Sequence, residues 1–128
     1  MSIFKQVSAF HTEVLKTPPP NSAVRTLTEK WSKKTVICLT EELDELKEAC
    51  VLNDRAAAAD ALIDSIYFAA GALVQLGVNP DHAFNIVHEA NMKKVGGVKP
   101  SRGLDDDAIK PDEWISPDLA VLFDPDGS

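Results

Sequence analysis

The sequence predicts an all-α fold, an up-and-down helical bundle of about four helices with an extended C-terminal arm, and three observations point to it. Apolar residues recur at spacings of three and four, helix breakers fall between these runs, and no alternation lasts long enough to build a sheet. The bundle is expected over residues 1–97 and the arm over 98–128. A chain of 128 residues can bury only a modest core alone, so the fold is expected to be oligomeric.

Ile3, Phe4, Val7, Phe10 and Val14 share one face of a first helix, which the prolines at 18–20 must stop because they lack N–H donors. From Ser22, a candidate N-cap, to about Asn53 there is neither Gly nor Pro. Apolar positions at Val24, Leu27, Trp31, Ile37, Leu39, Leu43, Leu46 and Cys50 mark one long helix or two abutting ones. Asp54 is placed to cap a third helix over 55–76, apolar or small on nearly every side and closed by Gly77 in the left-handed position. Asn79 and Pro80 open a fourth helix that runs through Ala83, Phe84, Val87 and Ala90 to the glycines at 96 and 97. The short connections make neighbouring helices antiparallel. The arm contains prolines, shows no sustained period beyond room for one short helical turn, and carries Trp114, expected to anchor it.

The net charge is −7, yet residues 1–102 hold twelve acidic and twelve basic side chains, so the excess lies in the arm. No broad basic face argues for a nucleic-acid polymer or an anionic membrane as partner. Cys38 and Cys50, twelve residues apart on one helix, stand about 18 Å apart at about 1.5 Å per residue and cannot bridge. The N-terminus has no continuous apolar core of a signal peptide, and no run reaches the roughly 18 apolar residues of a membrane span, so a cytoplasmic location is expected.

Against this background the third helix poses a problem, because Asp60 and Asp64 lie one turn apart on its apolar surface. Burying such carboxylates costs several kcal/mol unless a cation meets them, and the pair also repels itself. The preceding helix offers Glu41, Glu42, Glu45 and Glu48, with Lys47 the single base among them and Leu43 and Leu46 drawing the helix inward. Two antiparallel helices with paired carboxylates form an all-oxygen seam suited to Mg²⁺, or Mn²⁺ in its place. His11, His82 and His88 lack the Glu-x-x-His spacing of carboxylate-bridged iron sites, and no calcium-binding loop pattern is present. Magnesium held by a few carboxylates keeps positions open for water and phosphate oxygens, which suggests cleavage of a phosphate ester or anhydride.

"EELDE" at 41–45, Asp64 on the third helix, and "EANMKK" with Asn91 and Lys94 resemble the signature of the all-α NTP pyrophosphohydrolases. That group includes MazG-like proteins, dimeric dUTPases, dCTP pyrophosphatases and phosphoribosyl-ATP pyrophosphohydrolase. "FHTEV", the proline break, "GALVQLG" and "IKPDEW" are similar to small single-domain bacterial and phage MazG-like members, so the likeness spans nearly the whole chain. The family pattern has Glu three residues before the aspartate, where this chain has Ala61, and Asp60 on the same helix face is the candidate substitute.

The resemblance implies a nucleoside triphosphate diphosphatase that converts a (d)NTP to the monophosphate and pyrophosphate, with dGTP favoured by the likeness to phage-type members. It implies metal at Glu42, Glu45 and Asp64, joined by Asp60, with Glu41 as base or further ligand. Lys94 is then a catalytic cation on the phosphates, and Asn91, Lys94 and Lys110 bind substrate. Base stacking is expected among Trp31, Tyr67, Phe10 and Phe84. Family members are dimers or tetramers, and a homotetramer is expected. Phosphoribosyl-ATP hydrolysis and a non-catalytic metal-binding oligomerisation module are the alternatives.

Overall fold

The computed structural model describes residues 2–124. They fall into two compact units, which divide between Pro80 and Asp81. The first unit contains α1 (Ile3–Glu13), α2 (Glu29–Val51) and α3 (Arg55–Val74), with α3 packed against both α1 and α2.

Helix α1 starts at Ser2, whose hydroxyl accepts the Lys5 N–H at 3.2 Å. It ends at Glu13, before the prolines: Lys16 turns into the left-handed region at φ 58° and the Thr17 N–H returns to the His11 carbonyl at 2.8 Å. Pro18 disfavours helical backbone at the residue before it, so the break reaches back beyond the prolines themselves.

The second helix differs from the expected start at Ser22. Its N-cap is Thr28, whose Oγ1 accepts the Trp31 N–H at 3.1 Å, while the segment before it is not helical and sends the Val24 N–H to the Leu76 carbonyl at 2.9 Å. Freedom from Gly and Pro permits a helix without starting one, and threonine is a better cap than an interior helical residue. The late start puts Trp31 in the first turn, where its indole N–H reaches the Ala72 carbonyl near the end of α3 at 3.1 Å. Asn53, at φ 52°, and Asp54 turn the chain tightly, and Asp54 caps α3 as expected by accepting the Ala57 N–H at 3.0 Å. Gly77 holds φ 77° past the end of α3, where any Cβ would run into the Ser22 carbonyl.

The core of this unit is built from small residues, with Val7, Ala49, Ala61, Ala70 and Val74 all buried. Helix α3 is not buried all round, contrary to expectation: Ala61, Ala70, Gly71 and Val74 are buried, whereas Leu62, Ile63 and Ile66 are 51%, 60% and 51% exposed. By length and composition Arg55–Val74 would suffice to cross a membrane, although no unbroken apolar run exists and Asp60 and Asp64 interrupt it.

The second unit comprises most of α4 (Pro80–Asn91), strands β1 (Val95–Lys99) and β2 (Leu104–Ile109), and a short 3₁₀ turn at Ala120–Leu122, the one helical turn expected in the arm. The two-stranded sheet corrects the purely helical reading, and α4 stops at Asn91 instead of reaching the glycines. The strands pair antiparallel, Val95 with Ile109 and Lys99 with Leu104, with an irregularity between Gly97 and Lys99. Glycine at 97 leaves room for the Ile109 side chain, whose Cδ1 would lie 2.5 Å from a Cβ there. Pro100 and Gly103, at φ 68°, form the turn, and the N–H groups of Arg102 and Gly103 both reach the Lys99 carbonyl at 2.9 Å. Arg102 then spans the hairpin to Asp107 at 3.0 and 3.1 Å.

Candidate active site

The acidic seam lies in the first unit. Glu42 of α2 is 8% exposed, and of its two carboxyl oxygens Oε2 is enclosed and has no hydrogen-bond partner among the described residues. Its carboxyl is pushed up from 4.5 to about 7, first by burial, then by the hydrogen bond and charge of Glu45, then by Asp64 and last by Asp60. Three carboxylates from the two helices thus act on Glu42. Asp64 is half-buried, whereas Glu41, Glu45 and Asp60 are exposed. Ala61 is 1% exposed, so a methyl group packs where the family pattern has glutamate, and Asp60 stands at the more open position beside it.

Among the described residues no three His, Cys, Asp or Glu side chains form a ready-made metal-binding group. The donor set nevertheless fits a hard divalent cation. Carboxylates offer only acceptors once ionised, and an enclosed oxygen without a donor is relieved by a cation or a proton.

Beside the seam-bearing helices, still in the first unit, a cavity of about 460 Å³ opens among Phe10, His11, Trp31, Tyr67, Phe68 and Gln75. Phe10 and Tyr67 meet edge to face at 5.4 Å and 87°. Of the four aromatic residues considered for base stacking, Phe10, Trp31 and Tyr67 line this cavity, and Phe84 is not among the lining residues. His11, Gln75 and Gly71 were not expected there. "FHTEV" gave a hint of His11 only as part of a resemblance, and nothing local in the sequence singles out Gln75.

In the second unit Trp114 anchors the arm on the last turn of α4, its indole N–H donating to the Ala90 carbonyl at 2.7 Å. The ammonium groups of Lys94 and Lys110 each lie 5.1 Å from the centre of the Trp114 ring. Two expected phosphate-binding lysines, sixteen residues apart, are thus gathered by one aromatic ring, while Asn91 is exposed at the end of α4.

The family model of phosphoribosyl-ATP pyrophosphohydrolase matches residues 7–91, from within α1 to the end of α4. No individual curated protein matches the chain. The match includes Glu41, Glu42, Glu45, Asp60, Asp64 and the cavity residues, whereas the hairpin and Trp114 lie beyond it. The chain belongs to the phosphoribosyl-ATP pyrophosphohydrolase family, within the MazG-like all-α NTP pyrophosphohydrolases, and is a pyrophosphate-releasing hydrolase of nucleoside triphosphates.

Proposed function

We propose that the enzyme is a Mg²⁺-dependent pyrophosphohydrolase of deoxynucleoside triphosphates, dGTP in particular, yielding the monophosphate and pyrophosphate. The observation that carries the metal assignment is the enclosed, partnerless Oε2 of Glu42 among the charges of Glu45, Asp64 and Asp60. Glu42, Glu45 and Asp64 would hold the ion, with Asp60 as a further ligand; Mn²⁺ would substitute, as the same hard-oxygen donors suit it. When bound, such an ion neutralises phosphate oxygens and acidifies water.

The remaining assignments rest on side-chain chemistry. Glu41 is exposed, so its carboxylate is free to orient a water and take its proton as the oxygen attacks phosphorus and the pyrophosphate leaves. Lys94 serves as the catalytic cation for the phosphates. Lys110, held to the same ring, adds a second charge, and Asn91 offers an amide for sugar or phosphate. The base enters the cavity and stacks on Trp31 or Tyr67, as its aromatic lining and its volume suit a planar ligand. The exposed apolar side chains of α3 are the surface by which copies associate, into a tetramer as expected of this family, in the cytoplasm.

The family match favours one second reading, hydrolysis of phosphoribosyl-ATP. A panel of common dNTPs, NTPs and phosphoribosyl-ATP with Mg²⁺ or Mn²⁺, scored for both pyrophosphate and orthophosphate, tests the two together. Pyrophosphate release fastest with dGTP is expected; fastest turnover of phosphoribosyl-ATP favours the second reading, and orthophosphate as the first product contradicts both.

A further inference from the structure

The cavity of the first unit is lined by two lysines, Lys30 and Lys34, and among the described residues by no Asp or Glu. The two stand one turn apart on α2, both exposed, so their ammonium groups belong to the rim. Their neighbour Lys33 is paired with Glu29 at 2.7 Å, whereas neither Lys30 nor Lys34 has an ion-pair partner among the described residues. Burial, and after it the charge of Lys34, lowers the pKa of His11, which places this ammonium within electrostatic reach of a ring that lines the cavity.

Most other donors of the cavity are already committed. The indole N–H of Trp31 goes to the Ala72 carbonyl at 3.1 Å, and the Thr35 hydroxyl donates to the Trp31 carbonyl at 2.7 Å. The Gln75 amide donates to the Thr17 carbonyl at 2.9 Å and lies 3.0 Å from Nδ1 of His11. Nε2 of the same ring faces α3, where a Cβ on Gly71 would come within 2.5 Å of it. The Tyr67 hydroxyl lines the cavity too, but a hydroxyl accepts as readily as it donates and so separates a carbonyl from an amino group poorly. An ammonium group has three donors and no acceptor, so it cannot reverse its role.

The position of Lys34 along α2 decides which part of a nucleotide it meets. Glu42 of the seam lies eight residues further on, about 12 Å at about 1.5 Å per residue. With phosphates at the seam and the base in the cavity, Lys34 stands at the base end.

From this we infer that Lys34 is a specificity-determining residue, a cation at the cavity rim that selects purines with a carbonyl beside N7, guanine and hypoxanthine, over adenine. O6 and N7 of guanine both accept, the pair of atoms that lysine reads on guanine in nucleic acids. Adenine has an amino group in place of O6, so donor would face donor. The inference rests on the cavity being the base site of the proposed function.

The test uses the 128-residue chain and three substrates, dGTP, dITP and dATP, with Mg²⁺. Lys34→Gln, which carries an acceptor as well as a donor, should lower kcat/KM for dGTP and for dITP by about tenfold and for dATP by less than about threefold, mainly through KM. Lys34→Arg, again a donor without an acceptor, should keep most of the preference. Calorimetric binding of dGMP, dIMP and dAMP, which needs no turnover, should follow the same order, and circular dichroism should show the helices of both variants intact.

Equal losses for the three substrates in Lys34→Gln overturn the inference, because the lysine would then serve the phosphates common to them. A loss for dGTP without one for dITP overturns it as well, since the guanine 2-amino group would be what is read. So does a preference abolished by Lys30→Gln and untouched by Lys34→Gln. If the wild-type protein hydrolyses no nucleoside triphosphate but binds dGMP and dIMP above dAMP in a manner that Lys34→Gln removes, the proposed function falls and the reading of Lys34 stands.

Discussion

Glu42 holds the largest electrostatic tension among the described carboxyls, and its consequences can be measured without substrate. An unfolded chain ionises this group near 4.5, whereas the folded chain does so at about 7. Between those values the folded state keeps a proton that the unfolded state has lost, so stability falls as pH rises across the window. In metal-free protein, Glu42→Gln should therefore raise Tm at about pH 8, and its advantage over wild type should shrink as the pH falls to about 5. A constant difference in Tm between those pH values would show that Glu42 is not the group responsible. At this scale the sequence was informative about residue type: paired carboxylates on apolar helices pointed to the seam. It was silent about burial, because neighbouring positions look alike in one dimension while Glu42 is enclosed and Glu41 exposed.

At the scale of elements, helix ends and caps account for most of what was and was not legible. Asp54 and Gly77 gave away both ends of α3 because each satisfies a local backbone requirement. The start of α2 was misplaced by six residues because the choice between Ser22 and Thr28 depends on contacts with the end of α3, such as Val24 with Leu76. Thr28→Ala should destabilise the protein by about 1 kcal/mol in denaturant unfolding, the usual worth of such a cap; no change would mean that the side-chain bond to Trp31 N–H is dispensable. The hairpin escaped notice because "LDDDAI", with three aspartates in a row, lacks the apolar–polar alternation of a strand, and its pairing depends on Gly97 and a turn closed by Arg102 and Asp107. Trp114 then ties the segment after the hairpin to α4 and gathers Lys94 and Lys110. If this ring positions two phosphate-binding charges, Trp114→Ala should raise KM for the triphosphate by about three- to tenfold with a smaller effect on kcat. An unchanged KM would leave Trp114 as an anchor of the arm alone.

For the whole molecule, α3 connects stability with function. Its small residues let α1 and α2 approach closely, its aspartates join the seam, and its outward Leu62, Ile63 and Ile66 leave an apolar surface. The all-round apolar character read from the sequence predicted a helix buried on every side, whereas within one chain α3 packs against α1 and α2 and leaves Leu62, Ile63 and Ile66 exposed. Light scattering at micromolar concentration should give the mass of four chains, and Ile63→Asp should reduce it; a monomer in wild type would contradict the proposed assembly. The account as a whole depends on the carboxylates of α2 and α3 being reconciled by a dication. Titration of Mn²⁺ into the 128-residue chain, followed by electron paramagnetic resonance, tests this most directly. Saturable binding that weakens by at least about tenfold in both Glu42→Gln and Asp64→Asn, with helical content preserved, is the predicted result; wild-type affinity in those two variants would contradict it.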